Sequence, residues 1–290
     1  MKDIGKEIAE LSEPLIYVNG EFLPKSLAKV GVFDEGVTHG WAVYEGIRVY
    51  NGKVVELDAH IDRLYDSAKG AFITIPLTPK EFKKAVIRTI KINGLTDCHL
   101  APWVGYGEPG KDASVVIRIR EAPSRMGEHL TAIVSSVRRA SPDSIPAQIK
   151  TNSRLDLMLA RVEAECKGAN YAIMLDQFGY VAEASLANIM VVKGETAYTP
   201  YAMSALEGVT RGLLLRLLPE NGVPALEKNL TLQDLWTADE VFICGTGAEI
   251  KPIVKIDGRQ MGEGGLGPVT RKAIQVYKSY IEEHGEPIEY

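Results

Sequence analysis

Two residues in the middle of the chain could do chemistry together. Lys150 closes the extended approach Pro146-Ala147-Gln148-Ile149, just ahead of a helical run that ends at Gly168, and Glu183 closes the strand-like Tyr180-Val181-Ala182 after a turn. A lysine amine at such a terminus can form a Schiff base with an aldehyde, and burial there would lower its pKa toward nucleophilic attack. A carboxylate at a strand end can keep a pyridine nitrogen protonated so that the ring acts as an electron sink. The two together point to pyridoxal 5'-phosphate. Either alone reads more plainly, as a solvated loop lysine or a surface strand end.

Anion sites come next. Gly208-Val209-Thr210 and Gly245-Thr246-Gly247 both read as helix starts, whose unpaired N–H groups and dipole favour a phosphate, and equally as ordinary caps. Arg63 offers a planar fork for a phosphate, or is an exposed helix arginine. The five histidines show no metal-ligand spacing, so no metal is expected, and His39 and His99 matter only if they line a pocket. Gly105-Tyr-Gly-Glu-Pro-Gly110-Lys111 mimics a P-loop, but Asp112 stands in the Ser/Thr position and a strand follows; Gly262 to Gly267 fits GxGxxG by spacing alone. Both read as turns.

The elements that must position these residues form an alternation of strands and helices. Asn19-Gly20 and Asn51-Gly52 each turn a hairpin, the second returning a strand that runs from Ala42 to Tyr50. Asp58 caps a helix with Ile61, Leu64, Tyr65 and Ala68 on its apolar face, and Thr78-Pro79-Lys80-Glu81 is a capping box for another. Strands follow over Cys98 to Gly105 and Ala113 to Arg120. Past the polar stretch from Ser124 to His129, a strand covers Thr131 to Val137. Ser153 and Asp156 cap the helix after Lys150, whose buried face is expected to carry Leu155, Met158, Leu159 and Val162. A leucine-rich helix opens at Gly208-Val-Thr-Arg211, Thr231 caps a short one, Val241 to Cys244 is a strand, and Pro268 starts a terminal helix. The spacing thus predicts an α+β protein with a small domain over 1–123, a connection over 124–140 and a large cofactor-binding domain over 141–290.

Composition narrows the function class. In 290 residues, 46% hydrophobic and 24% charged side chains describe a globular protein, and a net charge of -5 leaves no basic footprint for nucleic acid. Three widely spaced cysteines fit neither a disulfide framework nor a zinc site, which suits a reducing cytoplasm. The charged amphipathic stretch from Met1 to Glu10 lacks a signal-peptide core, and no stretch approaches transmembrane length, so no membrane partner is expected.

Several stretches in combination resemble the class IV aminotransferases, the fold group of branched-chain amino-acid aminotransferase, D-amino-acid aminotransferase and aminodeoxychorismate lyase. They are Tyr44-Glu-Gly-Ile-Arg48, His60-Ile-Asp-Arg-Leu64 with Asp66-Ser-Ala-Lys69, Lys150, Gly179-Tyr-Val-Ala-Glu183, Gly208-Val-Thr-Arg211, and Asp239-Glu-Val-Phe242 leading to Gly245-Thr246. The resemblance implies two α+β domains with the active site in the interdomain cleft. It makes Lys150 the Schiff-base lysine and proton shuttle, and Glu183 the partner of the pyridine nitrogen. Arg63, the Val209 and Thr210 amides and Thr246 would hold the phosphate, and Leu206 would pack on the ring. Tyr44 and Arg48 would line the substrate pocket, with His39 and His99 as further candidates, and the Gly247 and Ala248 amides would face a substrate carboxylate. The implied reaction is ping-pong transamination from a hydrophobic L-amino acid to a 2-oxo acid, in a homodimer or larger homo-oligomer. Three positions depart from the branched-chain pattern: Leu155 replaces a tyrosine, Ala101 an arginine and Ala187 an acidic residue. A D-amino-acid or (R)-amine transaminase is therefore the alternative, and a non-catalytic pyridoxal phosphate-binding module the second.

Overall fold

Local turn and cap chemistry builds the first of two units. The computed structural model describes residues 13–289, so the amphipathic stretch from Met1 to Glu10 lies outside the described residues. Asn19 and Gly20 take φ of 49° and 100°, the left-handed region a two-residue turn needs, and join β1 (Leu15–Val18) to β2 (Glu21–Pro24) with Val18 opposite Glu21. The single turn α1 (Glu35–Thr38) is capped by Asp34, whose carboxylate accepts the Gly36 N–H. The strand expected from Ala42 to Tyr50 is broken. β3 (Ala42–Tyr44) and β4 (Ile47–Tyr50) are separated by Glu45-Gly46, where the Glu45 side chain turns into the interior. Asn51-Gly52 then turns the chain into β5 (Lys53–Val54).

Asp58 is not the cap of the next helix. α2 (Leu57–Gly70) starts from Glu56, which sits left-handed at φ 52° and makes no side-chain cap, and Asp58 lies in the first turn. The capping box forms on α3 (Pro79–Asn93) as its sequence requires: Thr78 accepts the Glu81 N–H and Glu81 accepts the Thr78 N–H. Leu64, Phe82, Val86 and Ile90 of these helices are buried, as are Ile47 and Leu100 on β4 and β6 (Cys98–Gly105) and Ile117 on β7 (Ser114–Glu121). Each such side chain is worth about 1.5–3 kcal/mol of burial. The P-loop look-alike is the turn between β6 and β7, where Lys111 pairs with Glu108 at 2.7 Å.

The second unit is richer in parallel pairing. β8 (Leu130–Val134) occupies part of the stretch expected as a connection. α4 (Leu155–Cys166) follows, then β9 (Tyr171–Leu175), β10 (Val181–Ala184), β11 (Asn188–Lys193) and β12 (Thr196–Thr199). Next come α5 (Val209–Glu220), β13 (Ala225–Glu227), the Thr231-capped α6 (Leu232–Trp236), β14 (Glu240–Gly245), β15 (Glu249–Ile256), β16 (Arg259–Gln260) and α7 (Pro268–His284). The final pair, β17 (Glu286–Pro287), belongs to the first unit and joins β5. Lys150–Ser153 also belongs to the first unit, while Ser124–Ile149 belongs to the second.

The first unit's sheet runs β17-β5-β4-β6-β7-β1-β2, with β3 on β6; the second's runs β10-β9-β8-β15-β14-β11-β12-β13, with β16 on β15. β8 pairs parallel with both β9 and β15. On α4 the structure reverses the expected face. Leu157, Ala160 and Ala164 are buried with Ala172 and Met174 of β9, while Leu155, Leu159 and Val162 stand 71%, 50% and 52% exposed. The Ser153-to-Asp156 box is also absent: Arg154 is the cap residue and makes no side-chain bond, and Asp156 is used elsewhere.

Candidate functional site

Lys150 is held by its backbone on two sides. Its carbonyl accepts the Tyr44 N–H at 3.0 Å, and its own N–H donates to Ser67 Oγ of α2 at 3.1 Å. Thr151 bridges to Val43 and donates its hydroxyl to the Ala42 carbonyl at 2.9 Å, and the Asn152 N–H donates to that same carbonyl. The segment thus runs as a short rung along β3, and the Lys150 Nζ lies 4.7 Å from the Tyr44 ring centroid. An amine so placed keeps a fixed origin while its four-carbon stem swings.

Beside this rung lies a buried ion cluster. Glu45, with a side chain fully shielded from solvent, accepts Arg63 Nε at 2.7 Å and Arg63 Nη2 at 2.9 Å, and His60 Nδ1 lies 2.9 Å from its Oε2. Burial alone would raise the Glu45 carboxyl, but the hydrogen bonds and charges of His60 and then Arg63 outweigh it and hold the group well below the usual carboxylate range. Arg63 is therefore far from the exposed helix arginine of the plain reading. His99, on β6 opposite Arg48, is pushed down to about 4 by burial, with the positive charges of Arg120, Arg48, His60 and Lys150 adding to it, and so is neutral at pH 7.

Arg48 lies on β4, beside His99 of β6. Its guanidinium is buried, donates to the Ala122 carbonyl and stacks 4.9 Å over the Tyr50 ring, which makes it a tie between β4 and the end of β7. His39 stands largely exposed after α1, with Thr38 Oγ1 2.9 Å from its Nδ1. The structure thus gathers Tyr44, Lys150 and the Arg63 cluster within the first unit, and leaves His39 at its surface.

The second unit holds the other candidates. A bulge between Val181 and Glu183 shifts the β10–β9 register and aims the Glu183 side chain, whose Oε1 lies 2.8 Å from Arg139 Nε. Glu183 Oε2 accepts the Leu206 N–H at 3.5 Å, and the Leu206 carbonyl accepts Asn188 Nδ2 at 2.8 Å. Two residues on, Gly208 precedes α5 with no side-chain cap. A Cβ there would sit 2.0 Å from Asn188 Oδ1, so only glycine lets the start of α5 lie this close to Asn188. The first N–H groups of a helix have no partner within it, and Val209 and Thr210 hold that place at the start of α5. Gly208→Ala is expected to lower stability by about 1–3 kcal/mol through overpacking, read from the denaturant midpoint; an unchanged midpoint would show that Asn188 gives way freely.

The second expected cup is not a helix start. Thr246, Gly247 and Ala248 turn the chain between the paired ends of β14 and β15, Gly245 opposite Glu249, with Glu249 itself left-handed at φ 61°. Thr246 is half-buried, Gly247 exposed and Ala248 buried on that turn. Sequence reasoning missed Glu45, His60, Ser67 and Asn188. Three of them lie inside or beside the quoted motifs, and the signal was their polar type next to apolar strand or helix positions.

Residues 42–256 match the family model for amino-transferase class IV, and the chain belongs to that family. A Methanocaldococcus jannaschii chain named "Putative branched-chain-amino-acid aminotransferase" is 40% identical over 280 residues, covering 93% of this chain and 97% of its own length. The branched-chain-amino-acid aminotransferase of Pseudomonas aeruginosa is 34% identical, covering 94% and 95%. Among solved structures, a T.th. branched-chain amino acid aminotransferase complexed with N-(5'-phosphopyridoxyl)-L-glutamate superposes with a TM-score of 0.89 at 32% identity, over 94% of this chain and 95% of that one. The two-domain α+β fold is that of the class IV branched-chain enzymes.

Proposed function

We propose that this chain is a pyridoxal 5'-phosphate-dependent transaminase that moves the amino group of a hydrophobic L-amino acid to a 2-oxo acid in two half-reactions. The observation that carries the reading is the Lys150 rung, a lysine fixed through its backbone with its amine over Tyr44. Relatives at 34–40% identity over nearly the whole chain support the branched-chain substrate class.

The residues present fit the cofactor. The Gly208 cradle before an uncapped helix suits a phosphate, and a buried carboxylate held by an arginine suits a protonated ring nitrogen. Bound, the cofactor supplies an aldehyde carbon for the amine and a ring that draws electrons from the substrate Cα–H bond. Lys150 would bind the cofactor through its amine and, released from it, would accept the proton from the substrate Cα. Glu183 would face the ring nitrogen and favour its protonated form, and Leu206 would pack on the ring. Val209 and Thr210 would donate N–H groups to the phosphate, with Thr246 and Arg63 as further candidate ligands. Neutral His99 and the Tyr44 ring border the substrate's side chain, and Gly247 and Ala248 donate toward its carboxylate.

The exposed stripe of Leu155, Leu159 and Val162 supports a homodimer, since three large apolar side chains on one helix face are costly in water. Three unpaired cysteines, two of them buried, support a cytoplasmic home. Ala101 and Leu155, where the branched-chain pattern has arginine and tyrosine, favour the D-amino-acid or (R)-amine reading as the alternative. A half-reaction panel separates them: the visible band of the purified holoprotein is followed after adding L-leucine, L-glutamate, D-alanine or (R)-1-phenylethylamine. Bleaching by L-leucine is expected. Bleaching by D-alanine or the amine alone overturns the substrate class, and bleaching by no donor overturns the transaminase.

A further inference from the structure

Glu183 is buried and belongs to a chain of three charges, of which Arg139 and Asp156 are partly exposed. Arg139 Nε lies 2.8 Å from Glu183 Oε1, and the same guanidinium donates through Nη1 to Asp156 Oδ2. The three side chains are 7%, 10% and 19% exposed in the order Glu183, Arg139, Asp156, so solvent screens them little. Each end is fixed by backbone. The Arg139 N–H donates to the Leu175 carbonyl of β9 at 2.9 Å, the strand that pairs with β10, and Asp156 Oδ2 accepts the Ala140 N–H at 3.1 Å.

The charges sum to a single negative one. An arginine bound to Glu183 alone would cancel its charge and leave nothing for a cationic ring. With Asp156 offsetting the arginine, the cluster carries one formal net negative charge, and the Arg139 guanidinium lies where it favours the charged form of Glu183. Asp156 sits in the first turn of α4 and divides its carboxylate: Oδ1 accepts the Leu157 N–H at 2.8 Å, and Oδ2 faces the arginine.

We propose that Arg139 and Asp156 are positioning residues that together set the charge of Glu183 toward the cofactor's ring nitrogen: Arg139 holds the carboxylate ionised and aimed, and Asp156 prevents the arginine from neutralising it. This rests on the transaminase reading, in which Glu183 faces that nitrogen.

The test uses apoprotein reconstituted with pyridoxal phosphate labelled with 15N in the ring. The 15N chemical shift reports whether the nitrogen is protonated, and titration gives cofactor affinity. Wild type is expected to show a protonated nitrogen at pH 7.5. Asp156→Asn and Arg139→Met are expected to move the shift toward the unprotonated value and to weaken cofactor binding roughly 10- to 100-fold, while Asp156→Glu restores both. Asp156→Asn keeps the Arg139–Glu183 pair, so it remains informative if Arg139→Met fails to fold. Variants that fold and bind with wild-type shift and affinity overturn the proposal. Wild type that binds no pyridoxal phosphate, or binds it with an unprotonated nitrogen, overturns the reading beneath it instead.

Discussion

Lys150→Ala is expected to remove turnover almost completely, lowering kcat by about 10,000-fold, the upper range of what a positioned proton-transfer group contributes. The loss falls on chemistry and spares the fold. Lys150 is held by its backbone N–H and carbonyl, which alanine keeps, and its side chain stacks over Tyr44. A cation over an aromatic ring contributes about 0.5–1 kcal/mol at a partly open site, so the melting transition moves little. Lys150→Arg sharpens the point. It keeps the positive charge for Tyr44, yet a guanidinium does not lose its proton in a protein and cannot act as the amine nucleophile. Equal inactivity of both variants, with Lys150→Arg melting as wild type, is the expected pattern in steady-state assay and calorimetry. Turnover by either variant would remove Lys150 from the chemistry.

Glu45→Gln is expected to be the most destabilising conservative change in the first unit, at about 3–5 kcal/mol, because it leaves Arg63 and His60 beside a buried site without their counter-charge. The pH dependence carries the signature. The folded Glu45 carboxyl lies below its unfolded value of about 4.3, so its contribution is fully present above that pH and is lost as pH falls toward the folded pKa. Urea unfolding of wild type and variant should show a gap of about 3–5 kcal/mol at neutral pH that narrows below pH of about 4.3. A gap independent of pH would assign the loss to packing rather than charge.

Features closed within a few residues were legible in the sequence. The Asn19-Gly20 and Asn51-Gly52 turns and the Thr78–Glu81 box follow from neighbours three residues apart or less. The cluster partners were not legible, because Glu45 meets His60 and Arg63 across 15 and 18 positions and Glu183 meets Arg139 only once β8, β9 and β10 are assembled. The α4 face failed for a related reason. Leu155, Leu159 and Val162 form a better apolar stripe than Leu157, Ala160 and Ala164, but β9 admits small side chains closely, and packing overrode pattern. Asp156 had the type of a capping residue, and it shares its carboxylate between the Leu157 N–H and Arg139. The start of α5 at Val209 was visible from the order of elements; the helix expected at Gly245-Thr246-Gly247 is a turn, because glycine and threonine serve hairpin turns equally well.

The central claim, that Lys150 is the amine that bonds the cofactor, is tested most directly by reducing the holoprotein with borohydride and mapping the digested peptides by mass. The account predicts one phosphopyridoxyl adduct, on the peptide carrying Lys150, and none in Lys150→Arg. An adduct on any other lysine, or a holoprotein that borohydride leaves unlabelled, would contradict it.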